Sequence, residues 1–155
     1  KPSNLFFDND LTLKLDGFVG LSALLEDIKE RAPDVIILDC LYQMLAGSVS
    51  NELDLKKFKD NIDRVRQQFN TAFVVVHHSR KASSEEDEDR GVEEMLSSSI
   101  FGNWLDTIIR VRGVPANADQ PDTINVLFQK AKNAKDEMHP IQLRFNRKQV
   151  RFSIA

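Results

Sequence analysis

A single cysteine, Cys40, stands in 155 residues, so no internal disulfide is available and a reducing, cytoplasmic setting is predicted. Three histidines and that one cysteine lie at scattered spacings, which gives no credible zinc site by sequence. No apolar run approaches the roughly 18 residues of a membrane span, and no signal peptide opens the chain, so no membrane partner is expected. Neither sign of charge dominates: the net charge is −3. That excludes a global attraction to nucleic acid and leaves only a local patch. Methionine is missing at position 1, where Lys1 stands, which suggests a processed protein or a fragment of a longer one.

What is present is an ordinary soluble composition, 41% hydrophobic and 29% charged, at a length that suits one domain. Two short runs organise it. P-D-V-I-I-L-D ends in Asp39, and A-F-V-V-V-H-H-S-R-K passes through His77 and His78. Val35 to Leu38 and Phe73 to Val76 show no polar alternation, the pattern of strands in a parallel sheet covered by helices on both faces. Their polar tips fall on one edge, the carboxyl edge where open α/β sheets bind ligands.

In chain order, Leu5–Phe7 and Leu11–Leu15 read as brief strand-like pieces around a polar turn. Leu21, Leu24, Leu25 and Ile28 recur at helical spacing and predict a helix of about three turns that closes before Pro33. Residues 41–50 are mixed and predict a loop across the carboxyl edge. Asn51 is a predicted N-cap, and Leu55, Phe58, Ile62, Val65 and Phe69 form the apolar stripe of the helix that follows. S-S-E-E-D-E-D-R predicts a mobile acidic loop, and 92–101 a short or broken element. Strand patterns return at Thr107–Val111, Thr123–Phe128, Ile141–Phe145 and Gln149–Ile154, the last two as a hairpin. The expected organisation is one domain over 1–155. It has strand and helix units over 1–78, a loop and short helix over 79–104, and a β-rich part over 105–155.

An aspartate directly after four buried aliphatics is costly inside unless it is paired, so Asp39 belongs at a strand tip where it holds something. A cation is one candidate; helix capping or pairing with a neighbouring base is the plain alternative. Adjacent strand residues point to opposite faces, so at most one of His77 and His78 can meet a ligand there. Arg110 and Arg112 repeat at a period of two, as do Lys130 and Lys132, so each pair can share one face of a strand. A phosphate or nucleic acid would suit such pairs, and a solvated edge is the competing reading.

These motifs in this order resemble the second half of a RecA-like ATPase core, closest to the hexameric replicative helicase group of RepA and DnaB type, over about 33–145. V-I-I-L-D-C-L is similar to its Walker B strand, which implies a magnesium-orienting role for Asp39. V-V-V-H-H-S-R-K resembles the next strand with its phosphate sensor, implying that role for His78 and a cofactor contact for Lys81. S-S-S-I-F-G-N-W-L-D-T-I-I-R resembles the serine-rich segment and W-x-D that precede a strand. F-Q-K-A-K-N resembles the strand whose cations reach phosphates bound by a neighbouring subunit, implying catalytic roles for Lys130 and Lys132.

The chain departs from the pattern at two points. Lysine at 132 stands where the family usually has arginine and lacks the bidentate fork. No G-x-x-x-x-G-K-[ST] occurs, so the core is expected to be incomplete, without its phosphate-loop strand. The fold class implied is α/β: a RecA-like, mostly parallel sheet flanked by helices with a C-terminal antiparallel hairpin. The function implied is the C-terminal portion of an ATP-dependent, DNA-acting motor of phage, plasmid or mobile-element kind. ATP and Mg2+ would be its cofactors, a hexameric ring its assembly and single-stranded DNA its partner. Arg80, Lys81, Ser98 and Ser99 would be its nucleic-acid contacts. By itself the chain is not expected to hydrolyse ATP. The alternatives are a non-catalytic RecA-like assembly or DNA-binding module and a recombinase-like strand-exchange protein.

Overall fold

The computed structural model describes residues 4–9, 13–78, 99–114 and 122–155. It divides into two compact units, 1–102 and 103–155. Among the described residues no helix is long and apolar enough to cross a membrane.

The first unit holds helix α1 (Phe18–Arg31), strand β1 (Val35–Asp39), a 3-10 turn (Leu41–Met44), helix α2 (Glu52–Phe69) and strand β2 (Ala72–Val76). Asn51 caps α2 as its residue type predicts, accepting from the amides of Leu53 and Asp54, with Glu52 and Asp54 in the first turn where the helix dipole favours acids. Asn70 and Ala32 end the two helices in the left-handed conformation. Leu55, Phe58, Ile62 and Val65 are buried along α2, and Gly20, Leu21, Leu24 and Ile28 along α1. A Cβ on Gly20 would run into the Lys14 backbone at its carbonyl oxygen, so only glycine allows α1 to lie this close to the segment before it.

β1 and β2 are parallel and in register from Val35 opposite Ala72 to Asp39 opposite Val76. Thr71, itself buried, donates its hydroxyl to the Pro33 carbonyl at 2.7 Å, and the Ala72 amide bonds Asp34, so both strands start together. Leu38 is buried, with Ile36 on the same side. On the opposite side Val35, Ile37 and Val74 are 52%, 65% and 48% exposed. The continuous aliphatic run marks two apolar faces, and among the described residues one of them is covered. Leu5–Phe7 form no strand, since among the described residues no strand lies beside them; the Arg31 guanidinium sits over the Phe6 ring instead.

The second unit contains one four-stranded antiparallel sheet in the order β3 (Thr107–Gly113), β4 (Thr123–Ala131), β5 (Ile141–Asn146), β6 (Arg151–Ile154). These are the four strands that the C-terminal pattern predicts, with β5 and β6 as the predicted hairpin. Helix α3 (Ser99–Trp104) precedes it along the chain. Cross-strand pairs share a face, and the pairs Ile109 with Phe128, Val111 with Val126, Ile124 with Leu143 and Phe145 with Phe152 put most of the apolar side chains on one face, Ile108 and Leu127 excepted. Arg110, Arg112, Asn125, Gln142 and Arg144 lie on the other, where the Gln142 amide donates to the Asn125 side-chain oxygen at 3.1 Å. A bidentate pair from Arg147 to Asp122 ties the turn before β4 to the β5–β6 turn.

Candidate functional site

Parallel register brings the two polar tips together. Asp39 is the last residue of β1 and lies opposite Val76, the last of β2, with His78 two residues further on. Ligand-capable atoms of Asp39, Cys40 and His78 all fall within 4.8 Å of one another. Asp39 and His78 are exposed, whereas Cys40 is 5% exposed and forms part of the core wall below them. The peptide joining Asp39 to Cys40 is cis.

The loop predicted for 41–50 opens on a 3-10 turn and is anchored along its length. Leu41, Met44 and Leu45 are buried, because the 3-10 turn directs one side of a polar-looking segment into the core. Its outer part is held from the segment before α1: Leu15 donates its amide to Met44 at 2.7 Å, and the Asp16 carboxylate accepts the amides of Ala46 and Gly47 at 2.9 to 3.2 Å. Asn61 of α2 bonds the Leu15 carbonyl at 2.7 Å. Asp39 and Cys40 therefore sit between a paired strand and a fastened loop, which limits their freedom to move.

His77 and His78 diverge as alternating strand residues must. His78 turns to the exposed tip beside Asp39, while His77 is half-buried with its Nδ1 lacking a hydrogen-bond partner among the described residues. Burial pushes the His77 imidazolium below the usual histidine range, and the neighbouring His78 charge adds to it. Placing the neutral ring's proton on Nε2 leaves Nδ1 an unmade acceptor.

Lys130 and Lys132 belong to the second unit. Lys130 lies opposite Ile108 across a bulge, on the face that carries Arg110. β4 stops at Ala131, so Lys132 does not share the strand face with it as its spacing suggested. Instead the Lys132 amide bonds the Asp106 carbonyl at 2.9 Å and its ammonium lies 3.5 Å from the Asp106 carboxylate. Exposed pairs of this kind contribute little, about 0 to 1 kcal/mol, and do not commit the lysine to that partner. Arg80, Lys81 and Ser98 lie outside the described residues, and Ser99 opens α3.

Two features escaped the sequence. Cys40 joins the cluster only because residue 78 is folded back beside it. Arg144 and Arg151 extend the cationic face of the antiparallel sheet; their signal was the alternation in I-Q-L-R-F and V-R-F-S-I. No Asp or Glu occurs in any of the four strands.

A family model described as an AAA domain matches residues 1–84. Among solved structures, one ATPase domain superposes with a TM-score of 0.68 over 88% of this chain at 9% identity. The chain spans about half, 51%, of that structure's length. No curated protein matches it. At that identity the likeness speaks for the fold, which is the α/β, RecA-like arrangement of an ATPase domain.

Proposed function

The chain belongs to the AAA domain family, and from that premise we propose that it supplies the C-terminal portion of an ATP-dependent motor acting on DNA. The observation that carries this reading is the meeting of Asp39 and His78 at the carboxyl ends of two adjacent parallel strands. An exposed carboxylate at such a tip is the oxygen donor a hard cation takes, so Asp39 fits Mg2+, held directly or through its waters. Bound there with ATP, the ion would neutralise charge on the phosphates. Asp39 would be the residue that holds the ion, and His78 the one able to offer a hydrogen bond to a phosphate beside it.

The cationic strand face supports a polyanion as the other ligand. Arg110, Arg112, Arg144 and Arg151 gather on one face of the antiparallel sheet, although the chain as a whole is acidic. This is the local patch that net charge required, and it suits the backbone of single-stranded DNA. Lys130 and Lys132 would serve a site on a neighbouring subunit of a ring. Arg80, Lys81, Ser98 and Ser99 would complete the nucleic-acid contacts.

ATP turnover by the intact protein tests the reading. Turnover should rise with single-stranded DNA and fall about 100-fold or more in Asp39→Asn, since a metal-stabilised transition state is worth several kcal/mol and each ~1.4 kcal/mol is tenfold. Undiminished turnover in that variant would refute the role. Phosphate release by these 155 residues alone, lost on Asp39→Asn, would show instead that the site is complete within this chain. β2 pairs only with β1 among the described strands, so its open edge and the aliphatic face beside it should drive self-association of the isolated chain. A monodisperse monomer by light scattering at high concentration would count against that.

A further inference from the structure

A carboxylate, a thiol and an imidazole within 4.8 Å of one another make a donor set that magnesium does not select. We propose that Asp39, Cys40 and His78 form a binding site for a zinc-class divalent cation, with water in the fourth position. Thiolate sulfur and imidazole nitrogen are the donors such borderline-soft ions prefer, and three protein ligands with one open position is an established form of zinc coordination. Bonds of about 2.0 to 2.3 Å give a tetrahedron with edges of roughly 3.3 to 3.8 Å, so binding draws the three donors inward by about 1 Å. Asp39 and His78 are exposed and able to make that adjustment, while Cys40 is fixed in the core wall as the anchor. The thiol proton leaves to solvent as the metal–sulfur bond forms.

Occupation by such an ion engages Asp39 and His78 together, so it excludes Mg2+ from the same carboxylate and shuts off nucleotide turnover. That consequence rests on the function proposed above; the binding site itself does not.

Cobalt(II) titration of the chain tests the site, because Cys40 is the sole cysteine and a thiolate-to-cobalt charge-transfer band can arise nowhere else. One equivalent should give that band together with tetrahedral ligand-field bands, and zinc should displace it. Cys40→Ser should abolish the charge-transfer band. His78→Ala and Asp39→Asn should each weaken zinc binding more than about 100-fold, since even outer partners of metal ligands are worth 10- to 100-fold. Should a variant fail to fold, the wild-type chain still decides: the cobalt band should persist in excess magnesium and be lost to one equivalent of zinc. Absence of the cobalt band, or a band that forms with undiminished affinity in a folded His78→Ala variant, overturns the site. Absence of the band alongside Asp39-dependent turnover in the intact protein overturns this inference alone; a zinc site in a protein without such turnover overturns only the motor reading.

Discussion

The two units bury their apolar residues very differently. Every buried hydrophobic side chain among the described residues, from Leu15 to Phe101, belongs to the first unit, and the second contributes only Thr123 to the buried set. The first unit lays helices against a two-stranded sheet and so has two layers between which side chains lose their water. The second is a single sheet whose apolar face leaves Ile109, Val111, Phe152 and Ile154 exposed. Among its described residues no second layer covers that face, and one sheet by itself cannot complete a core. The first unit thus fixes Cys40 in a packed core below the exposed Asp39 and His78, and the second offers surfaces.

Substitutions can break or sharpen that contrast. Phe58 is fully buried on α2 and Phe152 is 52% exposed on β6. Phe58→Ala should cost about 3 to 5 kcal/mol, and Phe152→Ala well under half of that, by urea denaturation. Equal costs would mean that the apolar sheet face is as well covered in solution as the helical core. Gly20→Ala comes next, at about 1 to 3 kcal/mol, because the added methyl group runs into the Lys14 backbone. A neutral result in the same assay would show that α1 can slide away from that segment. Asn51→Ala should lower the melting midpoint by the equivalent of about 1 kcal/mol through the lost cap of α2. His77→Asn has the smallest effect and shows only as a change in pH dependence. The folded pKa of His77 is depressed, so the unfolded chain takes up that proton first; this stability is whole above about pH 6.5 and lost as pH falls through the folded value. Melts at about pH 7.5 and about pH 5.5 should therefore differ less in His77→Asn than in wild type. An unchanged difference would remove burial of His77 from the account.

Much of the first unit was legible because local signals agree. Asn51, the stripe from Leu55 to Val65 and the abrupt tips at Asp39 and His78 all state their structure within a few residues. The strands of the second unit were legible in position but not in their partners: alternation shows that residues share a face, not how many strands will line up. The aliphatic runs show that a face is apolar and not what lies on it. Leu41, Met44 and Leu45 were read as loop because burial there follows from a 3-10 turn and from clasps by residues about thirty positions away.

By itself the sequence determined the elements, the α/β class and the two polar residues at the strand tips, since helix period, capping and apolar runs act over short range. Only the tertiary structure decided that Cys40 stands beside His78, that the described residues leave one face of β1 and β2 uncovered, and that Arg110, Arg112, Arg144 and Arg151 gather on one face of the antiparallel sheet. Those are consequences of register and pairing between distant segments, and no local propensity encodes a distance between residues that meet only when the chain folds back.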